Sequence, residues 1–228
     1  MDNKPITELE LYLIRHGQSF GNVGYGRENL TLKEANDPYL TEKGVMQADT
    51  CGKYLAETDF DAVYSSGLLR AVQTANEILK HQKTDKELQI LPLLTEVGIS
   101  DEYNGVCIDE IKEVRSNSQL ADGVDESRPL VFQNPMNDEE ALYQRAADTV
   151  EYFRTRYKSG EKVAAISHAA FMTFIVFGIM GFNKSPAFDI DFNNTSITKI
   201  VFYKKGTNKY GDIVFEQINN TAHLELHM

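Results

Sequence analysis

ELELYLIRHGQSFGN, residues 8–22, is the stretch from which the rest of the chain can be read. Leu9, Leu11 and Leu13 alternate along it with Tyr12 and Ile14 between them, and the apolar run then breaks into Arg15-His16-Gly17. A short apolar run that stops at a glycine and polar residues reads as a buried strand feeding a loop. In open α/β sheets, ligands bind just beyond the carboxyl ends of the strands, so Arg15 and His16 stand where chemistry is expected. A guanidinium is a planar fork that matches phosphate oxygens, and an imidazole beside it can attack or donate a proton.

Outward from this strand, strand and helix patterns alternate. Residues 17–39 form a polar loop with Gly21, Gly24 and Gly26, longer than a simple connection needs. Thr41 reads as a helix N-cap, with Val45, Ala48, Cys51 and Leu55 at helical spacing behind it. DAVYS (61–65) is a strand, turned by Ser66-Gly67 into a helix whose stripe is Leu68, Val72, Ala75 and Leu79. Residues 88–91 are a further strand, stopped by Pro92. Residues 93–137 read as an acidic, irregular insert with one or two short helices near 106–114. Asn137 and Glu140 have the spacing of a capping box for a helix carrying Leu142, Ala146, Val150, Phe153 and Tyr157. A strand over 162–167 and an apolar helix follow. Strands over 196–203 and 213–218, joined by KKGTNKYGD, read as an antiparallel pair. The fold expected is α/β: one domain over residues 1–228, a three-layer αβα sandwich whose sheet is mainly parallel with an antiparallel edge hairpin.

Composition narrows the partners. The 228 residues carry 34 acids against 23 bases, a formal net charge of −11, which argues against a nucleic-acid backbone or an anionic membrane. A phosphorylated ligand would need a local positive pocket. The apolar run over 163–182 is long enough to raise a membrane span. Ser167, His168 and Thr173 within it, and Gly178 and Gly181 at its end, favour a buried strand and helix instead. The polar start MDNKPITELE and the distant pair Cys51 and Cys107 point to a cytoplasmic chain with free thiols.

Three further residues fall near strand carboxyl ends or the helices after them: Arg70, His168 in ISHAA, and Glu96 in LLTEVG. A parallel sheet would gather them with Arg15 and His16 at one rim, where helix N-termini add unpaired N–H groups. RHGQSFGN (15–22), LTEKGVMQA (40–48), YSSGLLRAVQTA (64–75), LTEVG (94–98), ISHAA (166–170) and NNTSITKI (193–200) together resemble the motifs of the histidine phosphatase superfamily, in that family's order. INNTAHL (218–224) resembles the ending of its small phosphatase members. The resemblance implies that His16 is a nucleophile that becomes transiently phosphorylated. It implies that Arg15, Arg70 and His168 hold the phosphoryl oxygens with Asn22 assisting, and that Glu96 is the proton donor; the backbone N–H of Ala169 can also donate to the substrate, since only proline lacks one. Two guanidiniums and an imidazolium suit phosphoryl transfer, which is mostly positioning and charge stabilisation. The scheme calls for no metal and no cofactor. Where the family often has two glycines after the second histidine, this chain has Ala169 and Ala170, whose methyls would narrow the pocket.

The activity expected is hydrolysis of a small-molecule phosphomonoester. One alternative is a phosphoglycerate mutase, although the adjacent arginines of mutase inserts are here the separated Arg115 and Arg128. A second is a catalytically silent phospholigand-binding protein on the same fold. Asp101 or Glu102 are the substitutes for Glu96 as proton donor. Tyr25, Arg27, Tyr103, Arg115 and Arg128 are candidates for shaping specificity. His223 and His227 share a helical spacing that could suggest a metal pair, but a polar tail explains them better. The natural substrate and the oligomeric state are not encoded in any of these patterns.

Overall fold

The opening apolar run forms β1 (Thr7–Arg15), buried on both of its faces. Successive side chains of a strand point to opposite sides. Leu9, Leu11 and Leu13 therefore enter one core, and Tyr12 and Ile14 enter the other. The computed structural model, which describes residues 4–24, 28–133 and 138–225, builds a seven-stranded sheet around β1. The other strands are β2 (Ala62–Ser65), β3 (Leu88–Ile90), β4 (Ser118–Leu120), β5 (Glu161–Ser167), β6 (Ile197–Tyr203) and β7 (Ile213–Asn220). Their order is β4-β3-β2-β5-β1-β6-β7.

The five strands from β4 to β1 run parallel, with Leu13 opposite Ala165 and Arg15 opposite Ser167 across β1 and β5. β6 joins β1 antiparallel, and β7 joins β6 antiparallel through a turn in which the Tyr203 N–H donates to the Asp212 carbonyl. The sheet is the mixed, mainly parallel one that the sequence implies, with its antiparallel hairpin at one edge.

Two short helices, α1 (Phe20–Val23) and α2 (Leu32–Asn36), follow β1. α3 (Glu42–Tyr54), α4 (Leu69–Leu79) and α5 (Ile108–Val114) cover one face of the sheet. α6 (Glu139–Arg156) and α7 (Ala169–Ile179) cover the other. A last turn of helix, α8 (Ala222–Glu225), follows β7. Ala164 and Ala165 lie at the centre of the sheet, where small side chains leave room for aromatics from the helices. Phe153 of α6 is fully buried and meets the ring of Tyr64 edge-on at 5.1 Å. Phe153→Ala is expected to lower stability by about 3–5 kcal/mol through the lost transfer energy and the cavity left behind. The check is a lower urea midpoint with an unchanged m-value. An unmoved midpoint would mean that this face of the core is not packed as described.

Several readings change. The loop after β1 carries α1 and α2, and α2 opens on a Thr31–Glu34 capping box that was present in the sequence. The irregular insert contributes β4, three residues held to β3 by backbone pairing, with no apolar alternation to announce them. The N-cap of α6 is Asp138, whose side chain accepts the Ala141 N–H, while Asn137 lies outside the described residues. His223 is not in a solvated tail. It is buried in α8, with its Nε2 2.9 Å from Thr195 Oγ1, and His227 lies outside the described residues. The apolar run at 163–182 divides into β5 and α7, and no helix among the described residues is long and apolar enough to cross a membrane.

Candidate active site

β1 ends at Arg15, and the chain leaves the sheet through His16 and Gly17 under tight backbone control. The His16 N–H donates to the Ser167 carbonyl at 3.0 Å. The His16 carbonyl accepts from Asn194 Nδ2 at 3.1 Å and from the Thr195 N–H at 3.3 Å. Thr195 reaches this position with φ 57°, a left-handed conformation that costs a β-branched residue strain and is kept only where surroundings over-determine it. Those surroundings are the Cys51 thiol on its carbonyl, His223 on its hydroxyl, and the two carbonyls its own N–H meets. Gly17 is a glycine because a Cβ there would overlap the carbonyl oxygen of Gly44, and a Cβ on Gly44 would overlap that of Gln18. Two motif glycines thus let the loop lie directly on α3.

The His16 ring is buried, and its Nδ1 donates to the Gly17 carbonyl at 2.7 Å. That bond selects the tautomer whose Nε2 carries a free lone pair. His168 stands opposite, with ring centroids 5.0 Å apart. It occupies the N-cap position of α7 at the end of β5, with Nε2 2.7 Å from Ser66 Oγ and Nδ1 unpartnered. Burial, with Arg70 and Arg15 beside it, holds His16 well below the usual imidazole range. Burial, Arg70, His16 and Arg15 do the same to His168. Before any phosphoryl group arrives, burial and the neighbouring cations therefore disfavour the imidazolium at His168.

Arg70 enters from the first turn of α4. Its Nη1 donates to the Asn36 carbonyl at 2.9 Å and lies 3.6 Å from Asp37 Oδ1. Asp37 is itself buried, accepts the Leu69 N–H with both oxygens and takes the Tyr103 hydroxyl at 3.2 Å. One carboxylate from the end of α2 therefore caps α4 across space and orients its arginine. Arg15 is half-buried; its Nη1 donates to the Phe192 carbonyl and its Nε has no partner. Burial opposes the charges of Arg15 and Arg70, and Glu96 favours both. Glu96 follows the 3-10 turn Pro92–Leu94, where its Oε1 accepts the N–H groups of Val97 at 2.9 Å and Phe171 at 3.1 Å. The second of these is a first-turn N–H of α7, so the carboxylate sits on a helix N-terminus.

The structure thus brings Arg15, His16, Arg70, Glu96 and His168 to one rim, with Ala169 half-buried at the start of α7. Asn22 joins them from α1. Its Oδ1 accepts from the Ser19 N–H, the Ser19 hydroxyl and Asn194 Nδ2, which leaves its amide hydrogens as donors. Asp101 and Glu102 are exposed on a turn, whereas Glu96 is half-buried. Of the candidates for specificity, Tyr103 lies at the site against Asp37. Arg115 instead binds Asp85 and the Lys86 carbonyl, and Arg128 faces outward beside Asp125. Tyr25 and Arg27 lie outside the described residues. Asn36, Asp37, Ser66, Asn194 and Thr195 are support that the sequence reading did not assign, although Ser66, Asn194 and Thr195 stand inside motifs it quoted.

Three neutral buried histidines have a consequence for stability. His223 is pushed down to about 4 by burial, alongside His16 and His168. With folded-state values below the unfolded value of about 6.5, the unfolded chain takes up protons first as pH falls. This contribution is complete above about pH 6.5 and is lost below it, at up to about 1.4 kcal/mol per pH unit for each histidine. Urea unfolding at pH 5.5 is expected to give a lower midpoint than at pH 7.5, and His223→Gln is expected to remove one histidine's share of that difference. Equal midpoints at the two pH values would contradict the burial of neutral imidazoles.

A family model described as histidine phosphatase superfamily (branch 1) matches residues 11–211. The chain belongs to the histidine phosphatase superfamily. Among histidine phosphatase relatives, a broad-specificity phosphatase of Saccharomyces cerevisiae is 28% identical over 225 residues, covering 98% of this chain and 90% of its own. The 2,3-bisphosphoglycerate-dependent phosphoglycerate mutase of Bartonella henselae is 40% identical over 116 residues, covering 50% of this chain. That match spans about half of the mutase, 53% of its length. A crystal structure of phosphoserine phosphatase from Entamoeba histolytica, in complex with 3-phosphoglyceric acid, shares the fold. Its TM-score is 0.63 at 23% identity, over 95% of this chain and 99% of that one. This member of the superfamily therefore has both phosphatases and mutases among its relatives, and it shares its fold with solved members.

Proposed function

We propose that the protein is a phosphomonoester phosphatase that works through a phosphohistidine on His16, acts on small phosphorylated molecules and needs no metal. The observation that carries this reading is the His16 Nδ1 bond to the Gly17 carbonyl. It leaves Nε2 as a neutral nucleophile facing His168, at the rim that also holds Arg15 and Arg70. In the first step Nε2 attacks phosphorus, the N–P bond forms and the P–O bond to the leaving group breaks. Protonated Glu96 gives its proton to the departing alkoxide. In the second step the Glu96 carboxylate takes a proton from water, the water oxygen attacks phosphorus and the N–P bond breaks. Phosphate leaves and Glu96 is protonated again. Arg15, Arg70, the amide of Asn22 and the N–H of Ala169 hold the equatorial oxygens throughout. The phosphoryl dianion itself would favour a proton on His168, which its protein neighbours disfavour.

Likeness over nearly the whole chain to a broad-specificity phosphatase supports hydrolysis. The higher identity over half the chain to a mutase is the observation that keeps phosphate transfer back to substrate as a second reading. A paired assay in EDTA separates them: phosphate release from a panel of phosphomonoesters, beside 3- to 2-phosphoglycerate conversion with 2,3-bisphosphoglycerate present. Release without isomerisation is the expected result. Isomerisation exceeding release would replace the phosphatase reading with the mutase one, and loss of release on adding EDTA would contradict the metal-free scheme.

A further inference from the structure

β2 hands the chain to α4 through Ser66, a buried hydroxyl to which the reaction scheme gives no task. The Ser66 N–H donates to the Ile166 carbonyl at 3.1 Å, which carries the β2–β5 pairing one residue past the strand end. The Ser66 carbonyl accepts the Ser65 hydroxyl at 2.9 Å. With its backbone tied on both sides, Ser66 sets its Oγ 2.7 Å from His168 Nε2, and both residues are fully buried. Oγ also takes the Leu68 N–H, at a long 3.4 Å.

The Ser66–His168 bond can be written two ways, and the polar groups each leaves over choose between them. If Nε2–H donates, the Ser66 hydroxyl hydrogen has no acceptor among the described residues and the bare Nδ1 has no donor. Two buried groups then go unpaired. If the Ser66 hydroxyl donates to a bare Nε2, only the Nδ1–H is left over. Each unpaired buried group carries its full desolvation cost, so the second arrangement is favoured. A proton added at Nε2 would turn the bond round and strand the Ser66 hydrogen, so the serine also opposes an imidazolium. Burial, then Arg70, His16 and Arg15, press the same way. The remaining Nδ1–H belongs to a ring whose centre is 5.0 Å from that of His16, and α7 makes no cap bond with it. We propose that Ser66 is a positioning residue that holds the His168 proton on Nδ1, from which His168 donates to the transferring phosphoryl group. The proposal rests on the phosphatase reading and gives its second histidine a defined proton. No charge on the imidazole is needed for that hydrogen bond.

The test reads the imidazole and the reaction separately. Long-range ¹H–¹⁵N spectra of histidine-labelled protein at pH 7 show which ring nitrogen carries the proton, and His168→Asn identifies the signal. The parent is expected to show His168 with Nδ1 protonated and Nε2 bare, and added inorganic phosphate is expected to shift the Nδ1–H resonance. In Ser66→Ala the ring is expected to lose that tautomer. kcat is expected to fall about ten- to a hundredfold, the range of one hydrogen bond to a charged group, with KM changed less. A merely structural serine would lower the melting temperature and leave the His168 spectrum as it is. His168 protonated on Nε2 in the parent overturns the proposal, as does a Ser66→Ala protein that keeps the parent tautomer or the parent kcat. If Ser66→Ala does not fold, the parent spectrum and the phosphate titration still decide. If the parent releases phosphate from no ester, the phosphatase reading falls. An Nδ1–H resonance that phosphate leaves unmoved overturns the proposal independently of turnover.

Discussion

His16→Ala is expected to abolish phosphate release, lowering kcat by at least about ten-thousandfold on any phosphomonoester the parent hydrolyses. The scheme routes every turnover through His16 Nε2, and removing a nucleophile costs the whole covalent pathway rather than one contact within it. The remaining arginines would still bind phosphate, so KM or a competitive phosphate Ki is expected to move far less than kcat. Folding is expected to persist, because the His16 backbone is held by Ser167, Asn194 and Thr195 and not by its ring. Steady-state rates with a chromogenic ester, beside a thermal melt of the same preparation, are the check. A variant within about tenfold of the parent would remove His16 from the reaction.

Arg70→Met carries the second large effect. Arg70 is one of two guanidiniums at the rim, and an arginine on a transferring phosphoryl group is worth about 10³ or more in kcat. Its loss is expected to lower kcat/KM by about a thousandfold. It also leaves buried Asp37 facing a neutral side chain, and breaking a buried pair costs about 3–5 kcal/mol. The two consequences separate in the double variant Asp37→Asn with Arg70→Met. That protein has no stranded charge and is expected to regain stability while activity stays lost. If stability and activity return together, Arg70 serves the fold and not the phosphoryl group.

β1 and β5 could be read from the sequence because both faces of a central strand must be apolar, and their carboxyl ends then fix where Arg15, His16 and His168 stand. Arg70 and Glu96 could be found because each follows a recognisable strand within a family motif. The support around them could not. Asp37 acts on Leu69 and Arg70 across a gap of more than thirty residues, and nothing in DPYL marks a buried carboxylate. Thr195 matters through a positive φ and through what its N–H meets, neither of which follows from residue type. His223 was read as part of a solvated tail because its partner, Thr195, precedes it by 28 residues across the β6–β7 hairpin. β4 is three residues whose register against β3 is set by backbone pairing, and backbone pairing has no side-chain signature. Arg145 lay within a helix read for its apolar stripe, where a lone arginine reads as a solvated side chain and only the packed structure reveals its burial. Local pattern carried the sheet and its rim. Long-range contacts decided how the rim is held.

The covalent intermediate is the centre of this account, and rapid quenching with a ³²P-labelled phosphomonoester tests it most directly. Parent enzyme mixed with labelled ester, stopped in alkali within a turnover and digested, is expected to carry label on a peptide containing His16, stable in alkali and lost in acid as an N–P bond is. His16→Ala treated identically is expected to carry none. Turnover by the parent with no labelled protein at any time, or label on a peptide that lacks His16, would contradict the account.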